Sequence, residues 1–239
     1  MIRCITFDLD DTLWAVDPVI QHANQTMFAW ISEHASAFLQ HYKLHDLAAL
    51  RQIVLEDAPE IAHSVTLIRM EQLKYGLRKA GYSADEVEAL AAQAFEVFIQ
   101  ARQEVVFFEH AREVLSELKQ QGYQLGALSN GNADIHRVGL ADLIDFHFKA
   151  DDVGQMKPHP LMFEQMLAHT GLRPEQVIHV GDNHEHDVEG AAAVGLWTIW
   201  VNLQSGDKSH IASAQVSCLS ELPARVAEIN QQAHNRITL

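Results

Sequence analysis

The chain has 239 residues, 48% hydrophobic and 21% charged, enough for one large domain or two small ones, and its net charge of -15 with no Lys/Arg stripe works against nucleic-acid binding. Its two cysteines, Cys4 and Cys218, are far apart and lack CxxC spacing, which excludes a disulfide framework and a zinc knuckle. The start "MIRCITFDLDD" turns acidic by residue 8, unlike a signal peptide, and no apolar run approaches a membrane span, so a cytoplasmic protein with no membrane partner is expected.

Residues 2 to 7 predict a short buried strand that ends at Asp8. From about Asp17 to Val105 the apolar residues fall at helical spacing with almost no strand signal. "VIQHANQTMFAWISEHASAFLQHY" suits one long helix. "PEIAHSVTLIRMEQLKYGLRKAG" suits a second, with Pro59 near its start and Gly81 after its end. Ser83 and Glu86 have capping-box spacing, so a third helix begins near Ala84.

After Val105 strands and helices alternate. "HAREVLSELKQQG" reads as a helix, "YQLGALS" as a strand ending at Ser129, "ADIHRVGL" as a short helix and "FHFKA" as a strand. "PLMFEQMLAHTG" is helical, "QVIHVGD" a strand, "VEGAAAVG" a helix, "LWTIWV" a strand, and "LSELPARVAEINQQA" a last helix. Apolar strands alternating with helices imply a parallel sheet covered on both faces. The expected fold is α/β, a Rossmann-like three-layer core over 1–14 and 105–239, interrupted by an all-helical insertion over 15–104.

Polar clusters fall at the C-terminal ends of successive strands, the edge where open α/β sheets bind ligands. Four pieces meet there: "DLDDT" at 8–12, "LSNGN" at 128–132, "MKPHP" at 156–160 and "GDNHEHD" at 181–187. Asp8 and Asp10 are two residues apart on an extended segment, so both side chains point the same way. Close carboxylates repel, and a divalent cation held by hard oxygen ligands would offset that.

In this order the four pieces resemble the haloacid dehalogenase-like hydrolase superfamily, with the helical block similar to that family's inserted cap. The resemblance implies a catalytic core and a cap that swings to admit substrate, although "VVFFEHAREVL" departs from the family's usual Pro- and Gly-containing entry. It implies Asp8 as nucleophile, forming an aspartyl-phosphate, and Asp10 as general acid and base. It implies Ser129, Asn130 and Lys157 as phosphate ligands. It implies a Mg²⁺ site from Asp8, Asp182 and Asp187 with the Asp10 backbone carbonyl; Mn²⁺ suits the same donors.

The implied activity is a phosphatase acting on a small phosphorylated metabolite, as a monomer or homodimer. Dehalogenases of the superfamily lack the second Asp, so Asp10 argues for phosphate-ester hydrolysis. A phosphomutase, a nucleotide or sugar phosphatase, and a non-catalytic binding protein remain alternatives. The segment "RQIVLEDAPEIAHSVTLIRMEQLKYGLRKAGYSADE" is also similar to a branch of bacterial phosphatases acting on flavin mononucleotide and on a phosphorylated ribityl-aminouracil. His63, Thr66 and Arg69 either line a solvated helix face or meet substrate. Trp14, Phe28 and Trp30 either pack in a core or stack on a ring. Asp11 and Asp134 read as solvated or capping residues, and His184 and His186 as part of the magnesium loop instead of a zinc site.

Overall fold

The computed structural model describes residues 1–203, 206 and 208–237. They divide into two units, Met1–Ala15 with Val106–Leu239, and Val16–Val105.

The first unit is built on a six-stranded sheet in the order β3-β2-β1-β4-β5-β6, with every pair parallel. The strands are β1 (Cys4–Phe7), β2 (Gln124–Ser129), β3 (Phe146–Lys149), β4 (Val177–Gly181), β5 (Trp197–Val201) and β6 (Ala214–Val216). Helices cover both faces, which is why β1, "CITF", is apolar or uncharged throughout and fully buried. This is the Rossmann-like three-layer α/β architecture. The chain steps outward from β1 through β2 to β3, then returns to β4 on the other side of β1. The order therefore reverses between β1 and β4, and a crevice opens at the carboxyl ends of those strands.

The second unit is all helical: α1 (Val16–His34), α2 (Phe38–His41), α3 (Leu47–Asp57), α4 (Val65–Lys79) and α5 (Ala84–Ala101). Its own core gathers Ala23, Met27, Ile31, Phe38, Leu73, Leu77, Val87, Ala91 and Phe98. The long helix expected over 19–42 stops at His34 instead. The chain tightens at Ala35, where Phe38 N–H donates to Ala35 O at 2.9 Å. Phe38 then lies against the bare backbone of Gly76, where a Cβ would overlap its ring. The second predicted helix starts later than Pro59, because Ser64 caps it by accepting from Leu67 N–H at 3.0 Å, and residues 59–63 form a 3₁₀ turn. The third begins at Ala84 as the capping box dictates, with Ser83 N–H donating to Glu86 at 2.9 Å.

The α/β unit continues with α6 (Ala111–Gln120), α7 (Ala150–Val153), α8 (Leu161–Thr170), α9 (Gly190–Ala193) and α10 (Leu222–Ile237). Residues 135–139 are turns, not the short helix expected there. No helix among the described residues is long and apolar enough to cross a membrane.

Candidate active site

Three strand ends and the loop before α8 converge on a cavity of about 170 Å³ lined by Asp8, Asp10, Asp11, Ser129, Asn130, Lys157, Asp182 and Asp187 among others. Asp8 follows β1 directly, and its N–H extends the ladder by donating to Val180 O at 2.8 Å. Ser129 ends β2, and its hydroxyl oxygen accepts from Gly131 N–H at 3.0 Å. Asp182 follows β4, and Asp187 sits in a π-helical turn, His184–Glu189, immediately beyond.

Lys157 is the hub. It is 1% exposed, and its ammonium donates to Asp8 Oδ1 at 2.9 Å, Asp187 Oδ1 at 2.6 Å and Leu128 O at 2.6 Å, which uses all three of its protons. Burial pulls its pKa down, but Asp187 and Asp8 reverse the effect and hold it above the ordinary lysine value. Asn130 was expected at the phosphate. It lines the cavity, and its side-chain amide donates to Lys157 O at 2.9 Å and accepts from Lys157 N–H at 2.8 Å. It thus holds the lysine's backbone in place.

The carboxylates divide by environment. Burial pushes Asp8 well above the usual carboxylate range, with Lys157 opposing the rise and Asp187 and Asp182 adding to it. Burial together with repulsion from Asp187 lifts Asp182 to about 6. Burial alone would raise Asp187, yet the Lys157 ammonium and a hydrogen bond from His179 hold it well below the ordinary value. One carboxylate oxygen from each of Asp8, Asp182 and Asp187 lies within 4.8 Å of the others. An oxygen-only acidic trio of this kind has the donor chemistry that suits a hard divalent cation.

Residues not singled out from the sequence complete the frame. Thr12 is fully buried and paired with Asp182 in both directions. Its hydroxyl donates to Asp182 Oδ1 at 3.1 Å, and Asp182 N–H donates to Thr12 Oγ1 at 3.0 Å. Trp200 Nε1–H holds Asp182 O at 2.7 Å. His179, the register partner of Thr6, reaches Asp187 Oδ1 from Nε2 at 3.2 Å and meets Thr6 Oγ1 from Nδ1 at 2.9 Å. Burial lowers its pKa, so it is neutral. An ionised Asp187 only accepts, so Nε2 carries the proton and Nδ1 accepts from the Thr6 hydroxyl. The one signal for His179 in the sequence is a histidine inside the apolar strand "QVIHVGD".

Other expectations find their places. Asp134 accepts from His136 and Arg137 N–H, a local turn cap. His184 joins Glu189 at 3.1 Å and Ser209 at 2.8 Å. In the helical unit, Arg69 lays its guanidinium 4.7 Å from the Phe98 ring centroid, Phe28 packs edge-on to Phe38, and Trp30 stacks on His34.

Residues 2–195 match the family described as haloacid dehalogenase-like hydrolase. The chain belongs to this family. It is 32% identical over 206 residues, 86% of either chain, to the 5-amino-6-(5-phospho-D-ribitylamino)uracil phosphatase YigB of Escherichia coli (strain K12). It is 27% identical to the phosphoserine phosphatase of Thermus thermophilus, over 84% of this chain and 89% of that one. Among solved structures, a 2-haloacid dehalogenase from Pseudomonas syringae pv. Tomato DC3000 superposes with a TM-score of 0.89 at 35% identity, over 95% of this chain and 99% of that one.

In this member of the haloacid dehalogenase-like hydrolases, Gly181 is what lets Asp187 approach. A Cβ at that position would overlap the Asp187 carboxyl group. Gly181→Ala is therefore expected to destabilise the fold by about 1–3 kcal/mol, read as a lower Tm.

Proposed function

We propose that the protein is a magnesium-dependent phosphatase that hydrolyses a small phosphorylated metabolite through an aspartyl-phosphate. The observation that carries this reading is Asp10. It is a second carboxylate two positions after Asp8, lining the same cavity beside the acidic trio. Haloacid dehalogenases of the superfamily lack that second carboxylate, so Asp10 favours phosphate esters over the chemistry of the Pseudomonas syringae neighbour.

Asp8 attacks phosphorus with the oxygen not bonded to Lys157. Asp10 gives a proton to the leaving oxygen, then takes one from the water that hydrolyses the intermediate. Lys157 and Ser129 stabilise the charge that develops on the phosphoryl oxygens. Asp8, Asp182 and Asp187 fit Mg²⁺ by donor chemistry, with the Asp10 carbonyl as a further ligand. When bound, the cation neutralises the repulsion between Asp8 and an incoming phosphate. The helical unit acts as a cap that governs access. The similarity to YigB makes riboflavin-pathway phosphates, including flavin mononucleotide, the first substrates to try.

The test is phosphate release from a panel of flavin, ribityl-aminouracil, sugar and nucleotide monophosphates, with Mg²⁺ and with EDTA. Release that EDTA abolishes is expected. Silence across the panel from folded, magnesium-loaded protein overturns the reading. Ligand carboxylates must lose their protons to bind metal, so Mg²⁺ affinity measured calorimetrically is expected to fall as pH drops through about 6, where Asp182 takes up its proton.

A further inference from the structure

Trp14 is fully buried, and its ring meets Phe107 edge to face at 5.5 Å. A phenyl ring could make the same edge-to-face contact. An indole adds an N–H, and a buried indole N–H needs an acceptor. Here the acceptor is Asp10 Oδ1, at 2.8 Å. The backbone fixes this pairing from the interior side. Asp11 adopts a left-handed φ of 58°, unusual for a residue with a side chain, and its N–H donates to Trp14 O at 2.7 Å. Phe108 N–H closes on Leu13 O at 2.8 Å, and Trp14 itself bridges to Phe107. The indole is therefore held by the core, while the carboxylate it grips lines the cavity with Asp8 and Lys157.

Resting on the phosphatase reading above, we infer that Trp14 is a positioning residue for the acid–base carboxylate: its N–H holds Oδ1 of Asp10 and so fixes how that carboxyl group faces the cavity. In the first step Asp8 forms a bond to phosphorus as the bond to the leaving oxygen breaks. The proton on Asp10 passes to that oxygen, and an alcohol departs. In the second step water attacks phosphorus and gives a proton to Asp10, while the electron pair of the Asp8–phosphorus bond returns to Asp8. Without the indole N–H the carboxyl group would keep that orientation only part of the time.

The test compares the natural chain with Trp14→Phe on two substrates, a simple alkyl phosphate and p-nitrophenyl phosphate. The parameter kcat/KM covers the steps up to departure of the leaving group, and nitrophenolate leaves without needing a proton. Trp14→Phe is expected to lower kcat/KM for the alkyl ester about tenfold or more, part of the ~10²–10⁴ that a positioned acid supplies. For the aryl ester the loss stays within about threefold, because that step does not call on the acid. The ratio of the two values does not depend on how much of the variant is folded. A benzothiophene analogue of tryptophan at position 14, which keeps the ring shape and lacks the N–H, is expected to shift the ratio the same way.

Equal losses on both esters, or no loss on either, overturn the positioning role while leaving the phosphatase reading intact. A natural chain that releases phosphate from neither ester nor from any member of the metabolite panel overturns both.

Discussion

Asp8→Asn releases phosphate at least about 10⁴-fold more slowly than the natural chain, because the amide oxygen cannot form the covalent intermediate. The same variant, stripped of metal by EDTA, has a Tm equal to or above that of the natural protein. Asp8 is held well above the ordinary carboxylate pKa, chiefly by burial. A carboxyl group whose folded pKa exceeds its unfolded value favours the native state at low pH. It works against that state as pH rises from the unfolded value through the folded one. At neutral pH it opposes folding, and an asparagine has no proton to lose. The amide oxygen still accepts from Lys157 Nζ, which sits 2.9 Å from Asp8 Oδ1. Phosphate release and thermal unfolding on one preparation check both halves. An inactive, stable variant locates the defect in the chemistry, whereas turnover that survives the change removes Asp8 from the nucleophile's role.

Lys157→Met has the opposite stability signature. The ammonium is the cation between Asp8 and Asp187, and both carboxylates are buried, at 8% and 2% exposure. Methionine has similar bulk and no charge, so the two acids face each other without compensation. Breaking a buried pair from one side costs about 3–5 kcal/mol. The lysine pKa is raised in the folded state, so its contribution is complete below the ordinary lysine value and is lost only as pH rises through the higher folded one. The full loss is therefore expected at pH 7, as a lower urea midpoint with an unchanged m-value. Turnover falls by about 10³-fold as well, since the charge that faces the phosphoryl oxygens is gone. A variant as stable as the natural chain in EDTA contradicts a central role for Lys157 in holding the site together.

The strand-end positions of Asp8, Ser129 and Asp182 were readable because apolar runs end there abruptly, and a parallel sheet brings its carboxyl ends to one edge. Lys157 and Asp187 came from motif resemblance, since neither lies on a strand. The frame around them was not legible. Thr12 looks like any threonine in a turn, and its two-way bond to Asp182 joins residues far apart in sequence. Asn130 carries the same donors and acceptors whether it meets a phosphate or a backbone, so its use on Lys157 is a tertiary fact. The break after His34 was hidden for a related reason. Met27, Ile31, Ala35 and Phe38 keep helical spacing through it, and only the space above Gly76 decides where Phe38 goes. Strand β6 is three residues long, too short for periodicity to register.

The position of β1 in the sheet bears on how the chain is made. It is synthesised first yet lies between β2 and β4, whose pairing begins at Gln124 and Val177. At ~5–20 residues per second, the strand that ends at the nucleophile waits roughly 10–30 s on the ribosome for its second neighbour. The helical unit gathers a core of its own within residues 16–105. Vectorial folding thus completes the helices first and leaves the short apolar segment "CITF" exposed in the nascent chain. During that interval β1 is the natural target for a chaperone.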